Sequence, residues 1–225
     1  MRVEEIIERL QAEADPGNLA GMARFGINPE KALGVRVPAL RRLARELGRD
    51  RTRALELWAR GLRETRILAS LTDDPAMLTA GQMEAWTAEF YDWEICDQCC
   101  ANLFEKSPLA WSKAGEWSGR EDEFFKRAGF VLMARLAVSD KKTGDKEFEN
   151  FFPLIEREAD DDRNLVKKAV NWALRQIGKR SFHLNGLALE TAARIKKRGS
   201  RAAGWISSDA IRELTNPAIL GRIKR

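Results

Sequence analysis

The chain has little of what most hydrolytic enzymes of its length rely on. Among 225 residues there is one histidine, His183, one tyrosine, Tyr91, and three cysteines, Cys96, Cys99 and Cys100. Cys96, Cys99, Cys100 and His183 could in principle ligate a metal, but the three cysteines lie together on one apolar arc and lack a second spaced ligand pair, and none of the serines stands in a nucleophile-elbow pattern. Hydrolysis by Ser, Cys or zinc is therefore not indicated. The cysteines crowd into five positions with no distant partner, which excludes a disulfide framework and suits a reducing compartment; a cytoplasmic location is expected. No Gly-rich phosphate loop is present. No apolar run approaches the roughly 20 residues that cross a bilayer, and the acidic, amphipathic start from Met1 to Ile7 lacks the order of an export signal. Neither metal, cofactor nor membrane is expected, and no obligatory protein partner is indicated.

Strand alternation is also missing, and helical periodicity fills its place. Apolar residues recur every three or four positions almost throughout, so the chain reads as all-α. Pro38 opens a helix, Asp73-Asp74-Pro75 closes one, and Ser107-Pro108 and Phe152-Pro153 mark later boundaries. These prolines are 37, 33 and 45 residues apart, the length of a helix-turn-helix repeat. Second helices of the repeats share a cation beside small residues: Arg66 before Ile67-Leu68-Ala69, Lys126-Arg127 before Ala128-Gly129, Lys167-Lys168 before Ala169, and Arg201 before Ala202-Ala203-Gly204. Small residues let helices approach closely, and the cation would project from the same surface each time. The expected architecture is a HEAT-like repeat α-solenoid of stacked antiparallel helix pairs, a single domain over residues 1–225, with a concave basic groove.

Charge is unevenly spread. Residues 163–225 carry 15 Lys and Arg against three acids, residues 31–66 carry 11 cations against four, and residues 67–162 carry 21 acids against ten bases. Clustered cations at both ends suit phosphate binding through counterion release, although an ordinary solvated surface would have the same composition.

Two tryptophans stand out. Trp93 and Asp97 lie four apart on a predicted helix, beside an apolar arc of Ile95, Cys96, Cys99, Cys100, Leu103 and Phe104, so both can reach a groove. Equally, Trp93 can be core and Asp97 a solvated charge. On the predicted helix from Leu165 to Gly178, Trp172 falls off the apolar arc beside Lys168 and Arg175. Such a ring can pack on sugar or base while its cations hold phosphate, or form a surface cation-π pair. Trp58, Trp86, Trp111, Trp117 and Trp205 have core-packing positions.

The blocks Leu33 to Arg41, Trp93 to Asp97, Lys126 to Phe130 and Val166 to Arg175 together resemble the DNA alkylation repair family of AlkD-like HEAT-repeat DNA glycosylases. The resemblance runs from about Leu33 to Ile211. It implies an enzyme that hydrolyses the N-glycosidic bond of cationic N3- and N7-alkylpurines, without base flipping, in double-stranded DNA with alkylated bases. The family's catalytic aspartate matches Asp97, its two sugar-flanking tryptophans match Trp93 and Trp172, and its groove arginine matches Arg127. Arg41, Lys168 and Arg175 would contact the DNA backbone. Val37 departs from the pattern, standing where a polar contact residue can occur. The chemistry suits so small a set: a cationic purine leaves as a neutral base, and a fixed carboxylate stabilises the oxocarbenium-like sugar. A non-catalytic repeat protein that binds structured or damaged DNA is the alternative. The enzymatic reading expects Trp93, Asp97, Arg127 and Trp172 to converge on the groove.

Overall fold

A computed structural model describes residues 1–223, and among them every regular element is a helix. The chain divides into two compact units, Met1–Pro108 and Leu109–Arg225, where the sequence suggests one domain.

The first unit contains α1 (Val3–Ala12), α2 (Pro16–Arg24), α3 (Val37–Leu47), α4 (Arg51–Ala59), α5 (Arg63–Thr72), α6 (Ala80–Ala88) and α7 (Trp93–Asn102). Four of them begin where a short polar side chain takes an otherwise orphaned backbone N–H: Asp15 from Asn18, Asp50 from Arg53, Thr79 from Gln82 and Asp92 from Ile95. Pro38 sits in the first turn of α3, as its fixed φ favours. The rings of Trp58 and Trp86 stack at 4.0 Å, and both are buried. Side-chain bonds then repeat with one period. Glu64 accepts from the Leu33 N–H 31 residues back, Arg63 donates to Glu94 31 residues on, Trp58 to Glu89 31 on, and Asn102 to Ser70 32 back. Each such bond ties one helix pair to its successor.

The second unit contains α8 (Ala110–Ser118), α9 (Glu123–Ser139), α10 (Asp145–Glu149), α11 (Phe151–Arg157), α12 (Asn164–Gly178), α13 (Phe182–Lys196), α14 (Arg201–Leu214) and α15 (Pro217–Leu220). Its core is built on α9, where Phe130, Val131, Leu132, Met133 and Ala134 are all buried. Small residues do permit close approach here. A Cβ on Gly129 would lie 2.5 Å from the Ser118 nitrogen, so α8 and α9 touch backbone to backbone at that glycine. The period is longer than in the first unit: Arg127 to Leu165, Asn171 to Asp209, Arg175 to Glu213, Arg194 to Glu156 and Arg198 to Asp160 all span 38 residues. Proline spacing therefore located the repeats, and hydrogen bonds fix their length.

Among the described residues no helix is long and apolar enough to cross a membrane. The three cysteines are buried and unoxidised, as expected of the apolar arc, and burial pushes the Cys99 and Cys100 thiols well up. Leu103 and Phe104 complete that buried cluster from beyond the end of α7.

Candidate nucleic-acid interface

In the first unit, the start of α7 is held from three sides. Asp92 caps it through Ile95 at 2.9 Å. Its other carboxylate oxygen is buried without a partner, and burial raises its pKa against the pull of the capping bond. One residue further, the Trp93 indole N–H donates to the Phe25 carbonyl at 2.7 Å, so Trp93 is half-buried against the end of α2. Its ring helps to line a cavity of about 340 Å³ with Met22, Phe25, Ile27 and Arg36. Next, Glu94 accepts from Arg63 Nε at 2.6 Å.

Arg63 is only 1% exposed, and its fork serves several partners. Its Nη1 donates to the Val35 carbonyl at 3.0 Å and to Glu64 at 2.9 Å. Glu64 in turn accepts the Leu33 and Gly34 N–H groups, at 2.9 and 3.1 Å. The Leu33-Gly34-Val35 turn, which leads into α3, is thus bolted to the first turn of α7 through one buried arginine. A charge so deeply desolvated is tolerated because Glu64 and Glu94 oppose it and its Nε and Nη1 meet three acceptors.

One turn beyond Trp93, Asp97 is half-buried, flanked by the buried Cys96 and by Gln98. Arg41 is exposed on α3 and makes no ion pair among the described residues. Phe25 is an aromatic that sequence reasoning passed over. It is 74% exposed at the end of α2, beside Trp93. Its exposure follows from α2, which buries none of its own residues and so leaves the adjoining aromatic little core to enter.

In the second unit the expected apolar arc of α12 is realised, with Val166, Ala169, Val170, Ala173, Leu174 and Ile177 buried and Trp172 on its half-buried flank. With the Gln176 amide turned so that its oxygen faces the indole, it accepts from Trp172 Nε1 at 3.0 Å. The residues at positions 167, 171, 175 and 179 form a ladder against α14. Lys167 lies over the Trp205 ring, Asn171 donates to Asp209 at 2.7 Å, Arg175 meets Asp209 and Glu213, and Lys179 bonds Glu213 at 2.6 Å.

This ladder sorts the cations that composition lumps together. Lys168 is exposed and makes no ion pair among the described residues, whereas Arg175 is engaged by two carboxylates. Arg127 is 6% exposed and donates to the Leu165 carbonyl at 2.7 Å, seating the first turn of α12. Arg66 is likewise buried and bonds the Glu89 carbonyl and carboxylate, and Lys126 bonds Glu158 at 2.6 Å. The recurrent cation of the early repeats therefore does not project outward, correcting the sequence reading. Acceptors from the next repeat draw it in, the Glu89 and Leu165 carbonyls for the arginines and the Glu89 and Glu158 carboxylates beside them. Trp205 is a second correction. Expected in the core, it is 40% exposed, one position off the buried Ile206.

Helix pairs tied to their successors at a regular period define this molecule as a helical-repeat protein. The chain belongs to the DNA alkylation repair enzyme family, whose model matches residues 6–214. A solved structure described as "A new family of proteins related to the HEAT-like repeat DNA glycosylases with affinity for branched DNA structures" has a TM-score of 0.80 at 18% identity, covering 100% of this chain and 98% of that one. That likeness establishes the HEAT-like repeat fold. No curated protein matches the sequence.

Proposed function

We propose that the protein is a DNA-alkylpurine N-glycosylase. It would hydrolyse the N-glycosidic bond of cationic N3- and N7-alkylpurines in duplex DNA without flipping the base. The observation that carries the reading is a carboxylate, Asp97, standing half-exposed one turn from Trp93 on a helix whose start is fixed by Asp92, Trp93 and Glu94. Fixed charge is what the chemistry calls for. The alkylated purine departs neutral, positive charge develops on the deoxyribose, and a preorganised carboxylate stabilises that charge and can orient a water. Trp93 and Trp172 supply aromatic faces for the sugar, Arg41 and Lys168 contact backbone phosphates, and Arg127 acts by seating the helix of Trp172. Arg175 belongs to the same face but holds phosphate only when its two carboxylates release it.

Incubation with duplex DNA containing N7-methylguanine tests the reading. Wild-type protein is expected to release the base, and Asp97→Asn to do so about 100-fold more slowly. Absence of release by the wild type, or equal release by both proteins, would overturn it. A second reading, binding of structured DNA without chemistry, is favoured by the neighbour described as having affinity for branched DNA. Salt-dependent binding with no excision would select it.

A further inference from the structure

The helix α14 buries Ala202, Ala203, Ile206, Ala210 and Leu214, a face that packs completely without Trp205. The indole instead lies on the opposite stripe with Arg201 and Ser208, both exposed. Large aromatic rings are seldom left on a solvent stripe, because burying one contributes more than burying almost any other side chain. Two cations flank the ring with no carboxylate partner among the described residues. Lys167 reaches across from α12 with its Nζ 5.5 Å from the ring centroid, and Arg201 stands one turn before Trp205 on α14, whereas Asp209, one turn after it, is taken up by Asn171, Arg175 and Arg212. Further down the same ladder the cations are consumed by Asp209 and Glu213, but none of these carboxylates bonds Lys167 or Arg201.

We propose that Trp205 is a stacking platform for an unpaired DNA base, with Lys167 and Arg201 contacting the phosphates on either side of it. A flat ring between two cations that no carboxylate engages matches a nucleotide, which presents a π face and a negative charge together. Within an intact duplex the base faces are covered by their neighbours. The platform therefore distinguishes DNA that offers an unstacked nucleotide, as at an overhang, a gap or a branch. The proposal rests on the reading of this protein as a DNA binder and is independent of Asp97 chemistry.

The test measures fluorescence anisotropy of the full chain with a blunt duplex and with the same duplex extended by a single-stranded overhang. Wild-type protein is expected to bind the overhang form about tenfold more tightly, the magnitude of one base stacked on an aromatic ring. Trp205→Ala should abolish that preference while leaving blunt-duplex affinity intact, and Trp205→Phe should retain part of it. Excision of N7-methylguanine from blunt duplex by Trp205→Ala forms the second arm. Unchanged excision together with a lost preference supports the platform. A wild type without overhang preference, or a Trp205→Ala variant weakened equally on both DNAs, overturns it and leaves the glycosylase reading standing if excision persists. Failure of the wild type to bind either DNA overturns both.

Discussion

Arg175 on α12 and Glu213 on α14 form a short ion pair, with Asp209 3.5 Å from the same guanidinium nitrogen. Lys179 bonds the other Glu213 oxygen at 2.6 Å. Burial acts to raise the Glu213 pKa, but these two cations hold it below its usual value. Two positive charges on a cationic face are thus neutralised from within. Glu213→Gln is expected to tighten DNA binding several-fold at low salt and to steepen the salt dependence by about one to two counterions. Arg175→Gln should cost stability rather than DNA affinity. Titrations of both variants at several salt concentrations decide the matter; a loss with Arg175→Gln equal to that with Lys168→Gln would refute the engagement of Arg175 by α14.

The Arg63 fork gives a second prediction. Arg63→Met removes the cation between Glu64 and Glu94, leaving the buried Glu64 with only the Leu33 and Gly34 N–H groups and the Val35 carbonyl without its side-chain donor. Because an orphaned buried charge costs far more than a lost surface pair, the variant should lose about 3–5 kcal/mol in urea unfolding. Replacing Glu94 alone by Gln keeps an acceptor for Arg63 Nε and should cost less. An unaltered unfolding midpoint for Arg63→Met would show that the network contributes nothing.

Those two sites also mark what could be read from the sequence. Helix boundaries were legible because Pro38, Pro75 and the apolar arc of α12 act locally, within a turn or two. The cations were not. Lys126 and Arg127 look like surface charge until their acceptors are known, and those acceptors, Glu158 and the Leu165 carbonyl, lie 32 and 38 residues away. Trp205 failed for the opposite reason. Its neighbours Ala202, Ala203 and Ile206 form the buried face, and one residue turns a helix by 100°, enough to move an indole from core to solvent. Asp97 and Trp93 could be placed on one helix, but the Phe25 carbonyl that holds the indole comes 68 residues earlier.

Gly34 supplies a third prediction. Its φ is +81°, and a Cβ there would lie 2.2 Å from the Asp15 carbonyl oxygen, itself backbone and unable to yield cheaply. Gly34→Ala therefore combines a left-handed backbone with a main-chain collision and should destabilise the first unit by more than about 2 kcal/mol. Gly61 is the internal control. Its φ of +75° is close to that of Gly34 but nothing lies within 4 Å of an added Cβ, so Gly61→Ala should cost only the backbone strain, about 1 kcal/mol. Equal losses in chemical denaturation would remove the steric part of the argument.

Asp140 should contribute to acid sensitivity. Its carboxylate accepts from the Lys142 N–H at 2.9 Å, the Thr143 N–H at 3.0 Å, the Thr143 hydroxyl at 2.7 Å and the Trp111 indole at 3.2 Å. Burial opposes ionisation, but these donors prevail and lower its pKa from 3.8 to about 2. A carboxylate depressed in the folded state adds stability above its unfolded pKa, and that contribution disappears as pH falls through the folded value. The window is thus from about pH 4 down to about pH 2, with about 1 kcal/mol at stake after solvent screening. Asp140→Asn should be less stable than wild type at pH 7, and the difference should narrow as unfolding is measured toward pH 2. A difference that stays constant over that range would mean that Asp140 contributes through hydrogen-bond geometry alone, not through its charge.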